Sequence, residues 1–162
     1  MAQVTELRLP ADRDYIVVAK RAAGAVGVVA GFDVDAVDDL TIAVAQAFEN
    51  AISCLESSGC LTGQVRIAFK HDKRGLEVTV RSSVSREAEV AARRVVEAEA
   101  ERERVLAHER QREAVAISRD LESAAATDLA LRLMGLFVDR SSYQRDERTG
   151  GLRVRLTKYR AS

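Results

Sequence analysis

DDLTIAVAQAFENAISCL, Asp38–Leu55, reads as one amphipathic helix. Leu40, Val44, Ala47, Ala51 and Leu55 recur at helical spacing and mark an apolar face, which Phe48 and Ile52 widen. Asp33, Asp35, Asp38 and Asp39 crowd its beginning, where the positive end of the helix dipole favours acids. Gln46 and Asn50 follow one another at an i,i+4 spacing, so their side chains share one side of the helix.

Outward from this helix the chain alternates between short strands and further helices. Upstream, VTELRL at Val4–Leu9 alternates as an edge-like strand that Pro10 ends. Asp12 or Asp14 is placed to cap the next helix, Tyr15–Ala30, which is alanine-rich and reads as buried or half-buried. Its Gly24 and Gly27 permit close packing, and Gly31 with Phe32 closes it. Downstream, QVRIAFK at Gln64–Lys70 and the alternating Leu76–Val80 flank a polar turn, a hairpin pattern. The second strand, GLEVTVR at Gly75–Arg81, runs straight into SSVS at Ser82–Ser85. Ala124–Arg140 reads as another helix, with Leu129, Leu133, Leu136 and Phe137 on its apolar stripe and Ser123 or Thr127 as cap. Ser142–Arg145 is a short strand. Leu152–Thr157 closes the chain with Leu152, Val154 and Leu156 on one face and Arg153 and Arg155 on the other.

Between these lies a different kind of segment, 86–120. Arg86–Glu113 holds seven arginines and eight glutamates without Gly or Pro, and i,i+4 pairs such as Glu89 with Arg93 support a helix. Its apolar residues keep no heptad register, so it is read as a solvated helix rather than a coiled coil, with a lid or partner-binding helix as the alternative. Short turns between neighbouring strands, with helices elsewhere, predict an α+β two-layer sandwich. Its sheet is mixed and largely antiparallel, with the helices on one face.

The 162 residues suit a single domain with its own core. Lys plus Arg and Asp plus Glu both number 25, so bulk charge draws the chain to neither nucleic acid nor acidic membrane. No cationic leader or long apolar run is present, and a cytoplasmic location is expected. Cys54 and Cys60 form no CxxC. With His71 and His108 they offer no recognisable zinc spacing.

Three stretches, Asp39–Ala51, Leu76–Ser85 and Thr127–Asp139, together with the order of elements, resemble the anti-sigma-factor serine kinases of the RsbW and SpoIIAB type. These belong to the larger GHKL group of ATPases. The resemblance covers roughly Val4–Ser83 and Ala124–Lys158. It implies the Bergerat, or histidine-kinase-like ATPase, fold. In the family the first stretch supplies an acidic general base and, four residues on, an asparagine that holds Mg²⁺. Asn50 matches the asparagine, but Gln46 takes the acid's place, and a neutral amide cannot take up a proton as a base. Glu49 is off the required face. The family strand runs into an acid that accepts from the adenine amino group, followed by glycines. Here Ser82 stands for the acid and Val84 for the first glycine. The family's third stretch opens on glycines whose backbone meets phosphate. Asp128 and Ala130 fall at those places, and a carboxylate there repels a triphosphate. The closing ERTGGLRVRLTK, Glu147–Lys158, matches the family's last turn and strand.

The resemblance therefore implies a regulatory protein of the anti-sigma type, acting by partner switching on a degenerate ATP site. It would need no cofactor, and any ATP and Mg²⁺ would bind weakly through Asn50. The implied partners are a sigma factor, an anti-sigma-factor antagonist and a second copy of the chain. Direct nucleic-acid or membrane binding is not expected. The alternatives are an ATP-dependent serine kinase acting on such an antagonist, and a homodimerising scaffold without a nucleotide role.

Overall fold

The structure, a computed structural model, describes residues 2–59, 62–84, 125–126, 128–146 and 151–160. Its five strands are β1 (Gln3–Pro10), β2 (Gly63–His71), β3 (Gly75–Val84), β4 (Arg140–Arg145) and β5 (Leu152–Tyr159). The helices are α1 (Ile16–Val29), α2 (Val34–Ser57) and a shorter α3, whose described residues are 125–126 and 128–134. The strands form one sheet in the order β1-β2-β3-β5-β4. Every pairing is antiparallel, so the expected mixed sheet is antiparallel throughout. The charged stretch at 86–120, with His108, and Cys60 lie outside the described residues.

Alternation along each strand decides the layers. Val65, Ile67 and Phe69 of β2, Val78 and Val80 of β3, and Val154 and Leu156 of β5 are buried, while the residues between them turn outward. Onto this apolar face packs α2, whose Leu40, Val44, Phe48, Ala51 and Leu55 are all 1% exposed or less. Its start follows from its cap. Asp33 accepts from the Ala36 amide at 2.8 Å and satisfies one of the free N–H groups that every helix start carries.

Helix α1 reaches the core through small residues. Ala19, Ala23 and Gly27 are its buried positions. A methyl on Gly27 would stand 3.1 Å from a Val37 methyl, so close packing of α1 on α2 depends on that glycine. Val17, Val28 and Val29 are exposed, which makes the helix apolar on both sides rather than buried. It ends at Gly31 (φ 79°), with the Gly31 amide on the Val28 carbonyl and the Phe32 amide on the Gly27 carbonyl. That pair of reversed bonds stops a helix, and its left-handed position suits glycine.

One assignment is corrected. In α3 and the turn after it the buried residues are Leu131, Met134 and Val138, while Leu129, Leu133 and Leu136 are 60%, 51% and 76% exposed. Both sets have helical spacing. Packing against the sheet, not spacing, chooses between them, and helix 128–134 ends well before Arg140. The chain beyond α3 is tied down firmly: the Asp139 amide donates to the Thr157 carbonyl at 3.0 Å, and the Tyr159 amide to Asp139 Oδ2 at 2.6 Å.

Candidate functional site

Helix α2 presents Asp39, Gln46 and Asn50 along one side, because steps of seven and four residues return to nearly the same angle. Gln46 Nε2 points at Asn50 Oδ1 across 3.4 Å, beyond the 2.7–3.2 Å of a good N–H···O bond. Asn50 is 7% exposed, and its Nδ2 is buried without a hydrogen-bond partner among the described residues. A buried donor left in this way costs about 1–3 kcal/mol. Turned over, the same amide offers an oxygen at that point, which is what a cation needs. Glu49 is exposed, and its charge acts on Arg13 instead of on the Gln46 side.

At the other end of the same stripe, Asp39 accepts from Lys158 Nζ at 2.9 Å, and Lys158 also donates to the Phe137 carbonyl at 3.0 Å. Lys158 thereby joins α2, β5 and the turn after α3, with its side chain only 16% exposed. Sequence reasoning missed this pair. The signal available was the seven-residue step from Asp39 to Gln46.

Ser82 sits where β3 meets the start of β5. Its hydroxyl accepts from the Leu152 amide at 2.8 Å and lies 3.4 Å from the Leu152 carbonyl, to which it donates. The residue is 4% exposed. It therefore extends the β3–β5 ladder past Arg81↔Arg153 with a side chain in place of backbone. Its proton and one of its two lone pairs are thus engaged with Leu152. Val84 is half-buried at the strand end.

Asp128 lies in α3, beyond the helical residues 125–126. Tyr143 of β4 donates its hydroxyl to the Asp128 carboxylate, and Arg132 Nε approaches the other oxygen at 2.8 Å. The tyrosine bond, then the Arg132 charge, holds the Asp128 carboxyl below the ordinary range; the same bond pushes the Tyr143 phenol up. Ala130 is half-buried two residues along and carries no polar group. Gly135 follows the helix and does not restore a glycine at its start.

The sequence-predicted residues thus fall into three local constellations: Gln46 with Asn50, Ser82 with Leu152, and Asp128 with Tyr143 and Arg132. Among the described residues no hydrogen bond joins one constellation to another. Against ATP and Mg²⁺ the fit is poor. Only Asn50 has a buried polar group without a partner among the described residues. The base position holds a neutral amide, which cannot take up a proton, and the phosphate position holds a committed negative charge. Among the described residues no cluster of His, Cys, Asp and Glu is arranged to hold a metal. Cys54 is buried and its thiol is pushed up by burial, so it serves packing.

A family model described as the histidine kinase-like ATPase domain matches residues 9–158. No curated protein matches the chain. No described helix is long and apolar enough to cross a membrane. The chain belongs to the histidine kinase-like ATPase domain family.

Proposed function

We propose that this histidine kinase-like ATPase domain is a regulatory module of the anti-sigma-factor type that acts by binding proteins, with little or no phosphoryl transfer. The observation that supports the reading is the use of nucleotide-facing groups for internal bonds. Ser82 is spent on Leu152, and Asp128 on Tyr143 and Arg132. At the family's base position Gln46 cannot accept a proton from an attacking hydroxyl. A protein with these bonds keeps the family's shape and surface without needing a cofactor. Its partners in this reading are a sigma factor or an anti-sigma-factor antagonist, with a second copy of the chain as dimer mate, in the cytoplasm.

The test is calorimetric titration of ATP with Mg²⁺ into the purified protein and into Gln46→Glu, alongside co-purification from the source cell. Expected are no saturable heat at millimolar ATP for either protein and recovery of a sigma factor or an antagonist. Tight ATP binding by both proteins, or recovery of neither partner, overturns the reading. Hydrodynamic mass decides the dimer.

A second reading, a serine kinase with a rearranged site, has one observation in its favour: the buried Asn50 Nδ2, which has no partner among the described residues. It requires ATP binding that is lost in Asn50→Ala.

A further inference from the structure

The sheet face that turns away from α1 and α2 carries a row of arginines that no reading of a nucleotide site uses. Arg8 pairs in register with Arg66, Arg66 with Arg81, and Arg81 with Arg153, on four neighbouring strands. All four are exposed. Like charges directly opposite one another destabilise a sheet, and here they are set side by side in a chain of net charge zero. The next row adds Arg155, which forms a loose ion pair with Glu77 at 3.7 Å.

The first two arginines show what the row binds. Glu6 lies between them, with one carboxylate oxygen 3.0 Å from Arg8 Nε and the other bonded to Arg66 Nη2. These two guanidinium bonds pull the Glu6 carboxyl below its ordinary range. Arg81 and Arg153 repeat the same juxtaposition on the next strand pair, and among the described residues neither has an ion-pair partner. The neighbouring side chains in these rows, Ala68, Thr79 and Ser142, are small and offer no ring on which a base would stack. Strands lie about 4.8 Å apart, close to the roughly 5.4 Å pitch of an α-helix. A helix laid across the strands therefore meets successive arginines with successive turns.

From this geometry we infer that the outward face of the sheet is a docking surface for an acidic helical segment of a partner protein, with Arg81 and Arg153 taking one of its carboxylates as Arg8 and Arg66 take Glu6. The surface stands apart from the nucleotide question, since strand alternation sends these side chains away from α2.

The experiment is fluorescence anisotropy at low salt, with the full-length protein and a labelled helical peptide of glutamates spaced at i,i+4 among alanines. A glutamine-for-glutamate peptide and labelled single-stranded and duplex DNA are run in parallel. The glutamate peptide should bind, the glutamine peptide should not, and added salt should weaken binding. The Arg81→Gln, Arg153→Gln double variant should lose at least about tenfold in affinity, the scale of one charge-assisted hydrogen bond. Arg81→Lys with Arg153→Lys, which keeps the charge without the planar fork, should fall between. Circular dichroism of both variants should match the parent, because the exposed side chains carry no part of the core. Absence of peptide binding, equal binding by the glutamine variant, or tighter binding of either DNA overturns the proposal.

Discussion

Asn50 and Ser82 are the only polar side chains buried among the described residues, and they behave in opposite ways. Asn50 leaves its Nδ2 unbonded among the described residues; Ser82 uses its hydroxyl twice. Substitution should separate them. Asn50→Leu removes an unsatisfied donor and a long contact, and roughly keeps the volume, so stability should stay within about 1 kcal/mol of the parent or rise by that much. Ser82→Ala strips the Leu152 amide of its acceptor in a buried place and should cost about 1–3 kcal/mol. Urea unfolding of the two variants beside the parent measures both. A loss on Asn50→Leu larger than that on Ser82→Ala would mean that the asparagine has a partner in the folded protein. Nothing local in the sequence announces the Ser82 bond, because its partner is seventy residues away. The mismatch of Ser82 with the family's acid was legible; the use to which the hydroxyl is put was not.

The contact between α3 and the edge strand β4 rests on Asp128 and Tyr143, and it gives the elements a pH window. Asp128 has a lowered folded pKa, so its contribution is present above the ordinary carboxylate value near about 4 and is lost as pH falls through the folded value. Tyr143 has a raised one, so its contribution is present below about 10 and is lost as pH rises through the folded value. Tyr143→Phe should flatten both limbs of a plot of thermal midpoint against pH, leaving neutral pH the region of greatest difference from the parent. Elements themselves were largely legible. Alternating β2 and β3, the acids crowding the start of α2 and the glycine stop of α1 each carry their signal within a few residues, though α2 begins at Val34, ahead of Asp38 where its sequence reading began. The face of α3 was not. Leu129, Leu133 and Leu136 make as good a helical stripe as Leu131, Met134 and Val138, and only the sheet beneath decides between them.

At the scale of the molecule, the sheet carries two opposite surfaces, one almost wholly apolar and the other rich in arginine. Neither Arg81 nor Arg153 reads as special in its own strand. They become neighbours because β5 inserts beside β3, a fact of topology. Their repulsion should show in solution. Raising salt from about 0.1 M to about 1 M shortens the screening length from about 10 Å to about 3 Å. The thermal midpoint of the parent should then rise more than that of the Arg81→Gln, Arg153→Gln variant. Equal responses would mean that the row is not under electrostatic strain.

The place of β5 also sets an order of events. β1, β2 and β3 are side by side in the sheet, and of these β2 and β3 join by a short turn as soon as both exist. Among the described residues β4 has no neighbour but β5, and β3 keeps a bare edge until β5 fills it. On a ribosome the sheet therefore stays open through the synthesis of everything from 85 to 151. The strand that bridges its two parts is the last described one to emerge. An exposed edge of that duration invites pairing with other chains, which makes the interval before residues 152–159 emerge the time when a chaperone matters most.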